Sequence, residues 1–397
     1  MNKRENPYTP GAGRKPPILA GRDPYLESFR GLIDLLSSGQ HERSLIYSGL
    51  RGVGKTVLLM ELDVLASEAG WATTDVQELG SQPDFHVTFT RMATRLLREM
   101  SRRHRLKDRV ESALGVVKAF SLAAAPSGIQ LKLDVEPASG VADSGDPEQD
   151  LIDLMREIGE VAQATGAGAL FLIDEMHNLD AGSLAAICTA LRSIGRKGLP
   201  VALVGAGLPN VQARLAAAKP YADRLFQYHE LGRLSKAAAR AALIVPASMR
   251  GVDYDEQAAR AVVRECAGYP YFIQEYGCEL WNEVESPPIT RADVDAVKEI
   301  VGDSLARNFF GARFQLTTDA EQRYLAAMAS LGAAPFRSAE IAEVYGATSQ
   351  RGVSIHRDSL IGKGLIWSPH RGQLDFTMPL FAKYLRDNGP SHSFDDG

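Results

Sequence analysis

Apolar and polar positions along the first 232 residues form two kinds of pattern. Short apolar runs bounded by polar residues predict strands, and apolar residues that recur every three or four positions predict helices. The predicted strands are Leu45–Tyr47, Trp71–Gln77, Ala169–Ile173, Leu199–Val204 and Phe226–Leu231. The predicted helices are Asp23–Ser38, Pro83–Leu114 and Asp150–Thr165. We therefore expect an α/β domain over residues 16–232.

One part of this domain departs from the pattern. Four apolar residues alternate with polar ones and predict a short strand or hairpin, namely Ile129, Leu131, Leu133 and Val135. A polar, acidic stretch follows up to Asp150, and its composition is typical of a loop. We therefore expect residues 116–150 to be an insertion in the α/β domain.

The remainder of the chain predicts mainly helices. Residues 233–302 have helical periodicity, with Ser235 and Thr290 as N-caps, and we expect a helical lid. Residues 303–388 are expected to form a connector and a winged helix. The elements predicted there are a helix opened by the capping box Thr318-x-x-Glu321, helices at Ser338–Tyr345 and Ser349–Gly362, strands at Leu365–Ser368 and Gln373–Thr377, and a helix at Pro379–Asp387. Residues 1–15 are expected to be a flexible arm and residues 389–397 a disordered tail.

Composition and charge narrow the class of protein. The 397 residues are 45% hydrophobic and 23% charged, which is ordinary for a globular chain of two or three domains. A net charge of -5 provides no global basic field, so any contact with nucleic acid needs a local patch. Cys188, Cys266 and Cys278 have no metal-type spacing and are expected to be reduced. Without a signal peptide or a run of about 20 apolar residues, we expect a cytoplasmic protein with no membrane contact.

The strongest candidate site is a glycine-rich loop between a predicted strand and a predicted helix. Gly49, Gly54, Lys55 and Thr56 form the pattern G-x-x-x-x-G-K-T of the P-loop, or Walker A motif. There, backbone N–H groups surround a phosphate chain, the lysine reaches the β- and γ-phosphates, and the threonine hydroxyl ligates Mg²⁺. The predicted nucleotide-binding residues are Gly49, Leu50, Arg51, Gly52, Val53, Gly54, Lys55, Thr56 and Val57. ATP and Mg²⁺ are the expected cofactors.

An acidic pair follows a buried apolar strand about 120 residues after the P-loop, which is the Walker B pattern. Asp174 would hold the Mg²⁺ shell, and Glu175 would polarise the attacking water. The expected activity is hydrolysis of ATP to ADP and phosphate, with Glu175 and Lys55 as catalytic residues. His177, two residues later, is expected to be either structural or a relay to the site rather than a metal ligand.

A row of arginines is the best electrostatic candidate for a phosphate backbone. Six of them recur at spacings of 4, 3, 4, 3 and 4, which places them on one face of a helix: Arg91, Arg95, Arg98, Arg102, Arg105 and Arg109. The alternative is a solvated face, because Glu99, Asp108 and Glu111 could pair with the row. The nucleic-acid candidates in this row are Arg95, Arg98, Arg102 and Arg105.

The order of P-loop, acidic Walker B, helical lid and winged helix resembles the AAA+/STAND group of P-loop ATPases. The likeness extends in particular to prokaryotic "archaeal-type" ATPases and to origin-initiator ATPases. The resemblance implies a five-stranded parallel sheet, with the P-loop after the first strand and Walker B on the third. Gly268-Tyr269-Pro270 also resembles the G-x-P of STAND ATPases, where this turn packs near the nucleotide.

Two positions are interpreted only through that resemblance. Arg224 lies where AAA+ proteins carry an arginine finger, which would act on a neighbouring subunit and implies self-association with nucleotide; the alternative is a surface arginine paired with Asp223 or Glu230. The polar sensor residue usual after the fourth strand is replaced by glycine and alanine, and only Asn210 could serve. The weak sensor position predicts slow turnover.

Two classes of function remain open. In the first, the protein is an ATPase that acts on or loads at duplex DNA, with Arg351 in the third helix of the winged helix and Arg371 at the wing tip as further contacts. In the second, it is a nucleotide-controlled switch that recruits a protein partner and binds DNA little. Balanced acidic and basic residues in the winged helix leave both open.

Overall fold

The structure, a computed structural model, describes residues 1–11, 13–80, 84–103, 107–124, 135–332, 334–347 and 350–388. The described chain divides into two compact units. The core unit comprises Arg22–Gly49 and Lys55–Leu231. The second unit comprises Met1–Gly21, Leu50–Gly54 and the residues from Gly232 onward.

The core unit alternates strands and helices. Its elements are α1 (Asp23–Ser37), β1 (Ser44–Ser48), α2 (Lys55–Glu68), β2 (Ala72–Glu78), α3 (Asp84–Arg103), α4 (Lys107–Ala124), α5 (Pro147–Thr165), β3 (Ala169–Asp174), α6 (Ala181–Arg196), β4 (Val201–Gly207), α7 (Val211–Ala218) and β5 (Phe226–Glu230). Short 3₁₀ helices occupy Met176–Asn178 and Ala222–Arg224. Local chemistry sets several boundaries, since the side chains of Asp146 and Asp180 cap α5 and α6.

The strands form a five-stranded parallel sheet in the order β2-β3-β4-β1-β5. Every residue of β3 and β4 is buried, as expected for strands covered by helices on both faces. Ser48 at the end of β1 pairs with Gly207 and Glu230, so the carboxyl ends of the strands share one edge. The sheet confirms the predicted fold class, with the P-loop after β1 and the acidic pair at the end of β3.

The prediction of one long helix over Pro83–Leu114 is wrong. The chain there forms two helices, α3 and α4, with residues 104–106 outside the described residues. Phe89 and Leu96 of α3 share the apolar core with Val117 and Phe120 of α4. The hydrophobic effect therefore favours two helices that both contribute to one core.

The predicted insertion lies partly beyond what the structure describes. Residues 116–124 continue α4, whereas Ile129, Leu131 and Leu133 of the predicted hairpin lie outside the described residues. The acidic stretch before α5 is held by the buried Asp150, which accepts hydrogen bonds from the backbone N–H groups of Ser144 (2.9 Å) and Gly145 (3.1 Å).

The second unit is mainly helical. Its elements are α8 (Lys236–Ser248), α9 (Glu256–Glu265), α10 (Pro270–Glu283), α11 (Arg291–Leu305), α12 (Ala312–Phe314), α13 (Asp319–Ser330), β6 (Phe336–Arg337), α14 (Ser338–Val344), α15 (Ser354–Gly362), β7 (Ile366–Trp367), β8 (Gln373–Phe376) and α16 (Phe381–Asn388). Ser235 and Thr290 cap α8 and α11 as predicted. No helix among the described residues is both long and apolar enough to cross a membrane.

Helices α13, α14 and α15, followed by a small antiparallel sheet in the order β6-β8-β7, agree with the predicted winged-helix arrangement. The capping box of Thr318 and Glu321 opens α13. Glu321 is buried and also bonds to Ser359 (2.6 Å) and Lys363 (2.6 Å). Burial alone would raise the pKa of Glu321, but these hydrogen bonds lower it to about 2. One carboxylate therefore joins α13 to α15 and to the residue after it.

Two segments are more ordered than their sequence suggests. The connector after α11 is helical, because a π-helical turn at Ala306–Gly311 continues directly into α12. The segment expected to be a flexible arm packs on α10. Its Tyr8 is 3% exposed and lies against Gly277, where a Cβ would come within 2.4 Å of the tyrosine ring. The missing side chain of Gly277 thus creates the space that holds Tyr8. The predicted tail, residues 389–397, lies outside the described residues.

Candidate nucleotide-binding site

The two Walker motifs meet at the carboxyl edge of the core-unit sheet. Gly49 follows β1, and its N–H donates to the carbonyl of Gly207 at the end of β4 (3.1 Å). Lys55 begins α2, is buried, and donates from Nζ to the carbonyl oxygen of Gly49 (3.0 Å). Buried lysines are rare in proteins and are held by partners. A buried ammonium at a helix start beside a strand end is suited to phosphate.

The donor set for a divalent cation is present in the same unit. Thr56 donates from its hydroxyl to Oδ2 of Asp174, although 118 positions separate them in the chain. Burial raises the pKa of Asp174, while the bonds from Thr56 and from the N–H of Glu175 act in the opposite direction. A buried carboxylate beside a hydroxyl oxygen fits Mg²⁺, which prefers oxygen ligands. These two predicted metal ligands therefore lie together.

Glu175 has an unusual backbone. Its φ of 49° and ψ of 35° lie in the left-handed region, which costs free energy for a residue with a Cβ. Its N–H donates to Oδ1 of Asp174 (2.8 Å), and its Oε2 lies 3.1 Å from Nε2 of His177. Nδ1 of His177 in turn accepts from the N–H of Leu208 (3.3 Å). The sequence offered His177 as structural or as a relay, and the structure places it beside Glu175.

Residues Leu50–Gly54 of the P-loop belong to the second unit by their contacts. The N–H of Arg51 donates to the carbonyl of Thr377 (2.9 Å), and the N–H of Tyr271 donates to the carbonyl of Gly52 (3.2 Å). Gly52 has a φ of 79°, and a Cβ there would lie 3.2 Å from the ring of Phe309. The backbone favours glycine, and a Cβ would also crowd the Phe309 ring. These contacts were missed by the sequence analysis, whose only related signal is Gly-Tyr-Pro just before Tyr271.

The arginine-finger candidate lies away from the Walker motifs of its own chain. Arg224 ends a 3₁₀ helix at the amino end of β5, whereas Gly49 and Asp174 mark the carboxyl edge of this parallel sheet. Arg224 is exposed and makes no ion pair within the part of the chain that the structure describes. The alternative pairing with Asp223 or Glu230 is therefore not observed. Its role as a finger stays a prediction about an assembly.

The sensor candidate Asn210 immediately precedes α7, and its Oδ1 is buried with no hydrogen-bond partner among the described residues. Arg214, one helical turn later, donates to the carbonyl of Leu179 in the loop after β3. Both side chains therefore lie near the segments that follow β3 and β4. Whether Asn210 senses a phosphate stays a prediction.

The arginine row is shorter than predicted but remains exposed. Four arginines project from α3, namely Arg91, Arg95, Arg98 and Arg102, and we call these four residues the arginine surface. Together with Thr94 and Glu99 they border an open concave pocket of about 460 Å³. Arg105 lies outside the described residues. Arg109 belongs to α4 and pairs with Glu160 (3.2 Å), so it leaves the row.

The acidic residues offered as partners differ in their position relative to this surface. Asp108 and Glu111 make no ion pair with it among the described residues. Glu99 borders the same pocket and accepts from the backbone N–H of Thr73 on β2 (3.1 Å). Arg95 pairs with Asp75. The other three arginines have no ion-pair partner within the described ranges.

The two winged-helix candidates are both exposed. Arg351 lies in the 3₁₀ turn Gln350–Val353 just before α15, and Arg371 lies in the turn between β7 and β8. The outward face of α15 also exposes Ile355 (71%) and Asp358. The exposed side chains on this face therefore favour neither DNA binding nor contact with a protein partner.

Fold and Walker motifs together resemble those of the AAA+ class of P-loop ATPases. More particularly, residues 18–204, just under half of the chain, match the family described as AAA ATPase domain. Residues 307–385 match a domain of unknown function (DUF8462). No curated protein matches the chain.

Solved structures with low sequence identity share the fold. The Walker-type ATPase paby2304 of Pyrococcus abyssi is 15% identical, with 93% of this chain and 96% of that chain covered and a TM-score of 0.55. The ORC2 protein of Aeropyrum pernix in its ADP form is 12% identical, with 98% and 97% covered and a TM-score of 0.53. At these identities the likeness supports the fold and nothing finer.

Proposed function

We propose that the protein binds ATP with Mg²⁺ and hydrolyses it to ADP and phosphate. The observation that carries this proposal is the contact between the Thr56 hydroxyl and the Asp174 carboxylate, beside a buried Lys55. Walker A and Walker B are far apart in the sequence, but in the structure they are in contact at the carboxyl edge of the sheet. A glycine turn with a stray lysine would not produce that convergence.

Each residue has a distinct task in this proposal. The P-loop N–H groups and Lys55 bind and orient the β- and γ-phosphates. Thr56 and Asp174 would hold Mg²⁺, which supplies positive charge against the phosphate oxygens when it is bound. Glu175 accepts a hydrogen bond from the attacking water and aligns it. Arg224 of a neighbouring copy would neutralise charge on the γ-phosphate, which makes the active form an assembly.

Steady-state ATP hydrolysis with and without Mg²⁺ tests this proposal. We expect Mg²⁺-dependent release of phosphate that Lys55→Ala abolishes, because the variant lacks the cation that reaches the phosphates. A matched control is Lys236→Ala, which removes an exposed lysine at the start of another helix, α8. Near-normal ATP binding and hydrolysis by Lys55→Ala would contradict the assignment of this loop as a P-loop.

We further propose that the activity is used on duplex DNA, with the arginine surface as the main contact and Arg351 and Arg371 as auxiliary contacts. Arg91, Arg98 and Arg102 are exposed without ion-pair partners in the described structure. The helical rise spreads the surface over about 16 Å, enough to face two or three successive phosphates. Guanidinium groups bind phosphate oxygens in a bidentate manner.

Salt-dependent DNA binding tests this use. Each phosphate contact contributes about -0.9 to the slope of log K against log salt. We expect the double variant Arg98→Ala/Arg102→Ala to reduce the slope by about 2 and to lower DNA-stimulated hydrolysis. Arg30→Ala, which removes an exposed arginine of α1, should change neither. Unchanged DNA affinity in the double variant would contradict the proposal.

A second candidate function, a nucleotide-controlled switch that recruits a protein partner, is favoured by one observation. Arg51 and Gly52 of the P-loop are hydrogen-bonded to Thr377 and Tyr271, and Phe309 packs against Gly52. Those contacts would couple nucleotide exchange to the second unit. Under this function Phe309→Ala should accelerate ADP release, measured with a fluorescent analogue, and DNA should leave hydrolysis unchanged. Strong stimulation of hydrolysis by DNA would favour the first function.

A further inference from the structure

His177 bridges the ends of two neighbouring strands. It lies three residues after the end of β3, it is buried, and its two ring nitrogens face different elements. Nδ1 accepts a hydrogen bond from the N–H of Leu208, the first residue after β4 (3.3 Å). Nε2 lies 3.1 Å from Oε2 of Glu175. A side chain that only filled space would not need both contacts.

The contact with Leu208 selects the tautomer of the ring. A nitrogen that accepts an N–H carries no proton, so in the neutral imidazole the proton resides on the other nitrogen. Nε2 of His177 then carries the proton, and it lies 3.1 Å from a carboxylate oxygen, although the two atoms are not aligned for a hydrogen bond in this structure. The backbone at the end of β4 thereby fixes a protonated ring nitrogen beside Glu175.

We propose that His177 is a positioning residue that holds the Glu175 carboxylate in the orientation needed to align the attacking water, and that it links this orientation to the end of β4. This inference rests on the proposed hydrolysis at the same site. The chain following β4 offers no polar side chain before Asn210, because Gly207, Leu208 and Pro209 stand there. Only the main-chain N–H of Leu208 can serve, and His177 transmits its position.

The backbone of Glu175 explains why such a holder is needed. Its left-handed conformation fixes the direction of the Cα–Cβ bond, and its N–H is engaged by Asp174. The direction of the carboxylate beyond Cβ depends on the side-chain torsions, and His177 places a ring nitrogen 3.1 Å from Oε2. Misplacement of such a group by about 1 Å costs as much as about 100-fold in rate.

Two variants separate positioning from packing. His177→Phe keeps a flat ring of similar size but removes both hydrogen-bonding nitrogens. His177→Gln keeps a terminal amide that can donate to Glu175 and accept from Leu208. We expect His177→Phe to lower kcat at least about tenfold, with the dissociation constant of ATP changed less than about twofold, and His177→Gln to recover most of the loss.

The possible results distinguish failure of the positioning role from failure of the proposed function. Parent kcat in His177→Phe, or an equal loss in both variants accompanied by weaker ATP binding, overturns the positioning role. If the parent protein itself hydrolyses no ATP, the proposed function fails instead. As a measurement independent of turnover and of variant folding, ¹⁵N NMR of the histidine-labelled parent should place the His177 proton on Nε2. A proton on Nδ1 would contradict the inference.

Discussion

At the scale of single residues, the most informative feature is the left-handed backbone of Glu175. Such a conformation costs of order 1–3 kcal/mol for a residue with a Cβ, and it persists where the surroundings impose it. In this conformation the Glu175 N–H donates to Oδ1 of Asp174 (2.8 Å). The backbone strain therefore lies at the residue that we propose to align the attacking water. Strain of this kind is often found at functional residues.

A trio of variants tests that interpretation. Glu175→Gln should bind ATP and retain it unhydrolysed, because the amide cannot accept the water proton. Glu175→Gly and Glu175→Ala should both lose hydrolysis. Only glycine relieves the left-handed backbone, so Glu175→Gly should be more stable to urea than Glu175→Ala by about 1 kcal/mol. Parent turnover in Glu175→Gln, or equal stability of the other two, would contradict the assignment.

A second residue-scale prediction concerns Asp174, whose pKa burial raises. A carboxyl group with a raised folded-state pKa lowers stability at pH values above that pKa, and this cost disappears as the pH falls through it. In the absence of Mg²⁺, Asp174→Asn should therefore raise the Tm at pH 7, by about 2–4 °C for each kcal/mol relieved. Mg²⁺ with ATP should raise the Tm of the parent protein but leave that of the variant unchanged.

At the scale of elements, one buried carboxylate links the helices of the winged-helix-like region. Glu321 accepts bonds from Thr318, Ser359 and Lys363, which lower its pKa to about 2. A depressed carboxyl pKa adds stability that is complete above the unfolded-state value near 4.3 and is lost as the pH falls toward 2. The contribution is about 2–3 kcal/mol.

Glu321→Gln should therefore lower stability at pH 7 and flatten the dependence of stability on pH between about 5 and 2. Urea unfolding at a series of pH values, followed by tryptophan fluorescence, measures both effects. Glu340→Gln is the matched control, since this exposed residue of α14 has only a surface ion pair with Arg337. A parallel pH profile in Glu321→Gln and the parent would contradict the argument.

Local patterns predicted most elements, because caps, periodicity and glycine turns act over a few residues. The capping box at Thr318 and the strand before Asp174 are examples. Contacts over long sequence separations were not accessible: Tyr8 on Gly277 and Tyr271 on Gly52 each join residues more than 200 positions apart. No short-range pattern encodes such partners, and the split into α3 and α4 likewise depends on a core that forms only in three dimensions.

The Walker motifs of the candidate site could be predicted from the sequence because each is a local pattern of a few residues. Strand ends in a parallel sheet meet at one edge, so two local motifs suffice to place Thr56 beside Asp174. The link from Leu208 through His177 to Glu175 depends on the tautomer and on the register of β4. Sequence alone gave His177 two interpretations, and its distances to Leu208 and Glu175 are accessible only from the structure.

At the scale of the whole molecule, the position of Arg224 bears on assembly. It lies at the amino end of β5, opposite the edge that carries the Walker motifs. An arginine finger at this position would act on the nucleotide of another copy of the chain. We expect specific activity to rise with protein concentration, and Arg224→Ala to bind ATP normally while hydrolysing it at least about 100-fold more slowly.

Mixing two inactive variants tests this directly. Lys55→Ala lacks a working P-loop but presents Arg224, whereas Arg224→Ala has an intact P-loop. Equal amounts together should recover part of the parent activity, which neither variant has alone. Arg192→Ala, which removes an arginine stacked on Tyr221 in the core unit, is the control for surface effects. Parent activity in Arg224→Ala alone would exclude a finger role.

The close approach at Gly52 has a consequence for the history of this sequence. A Cβ at position 52 would crowd the ring of Phe309 at 3.2 Å and the Cβ of Tyr271 at 3.3 Å. A smaller residue at position 309 would relieve the first contact but not the φ of 79°, which is strained for any residue with a Cβ. Related sequences should therefore keep glycine at position 52 even where position 309 has changed, so conservation of the glycine should outlast conservation of its aromatic neighbour.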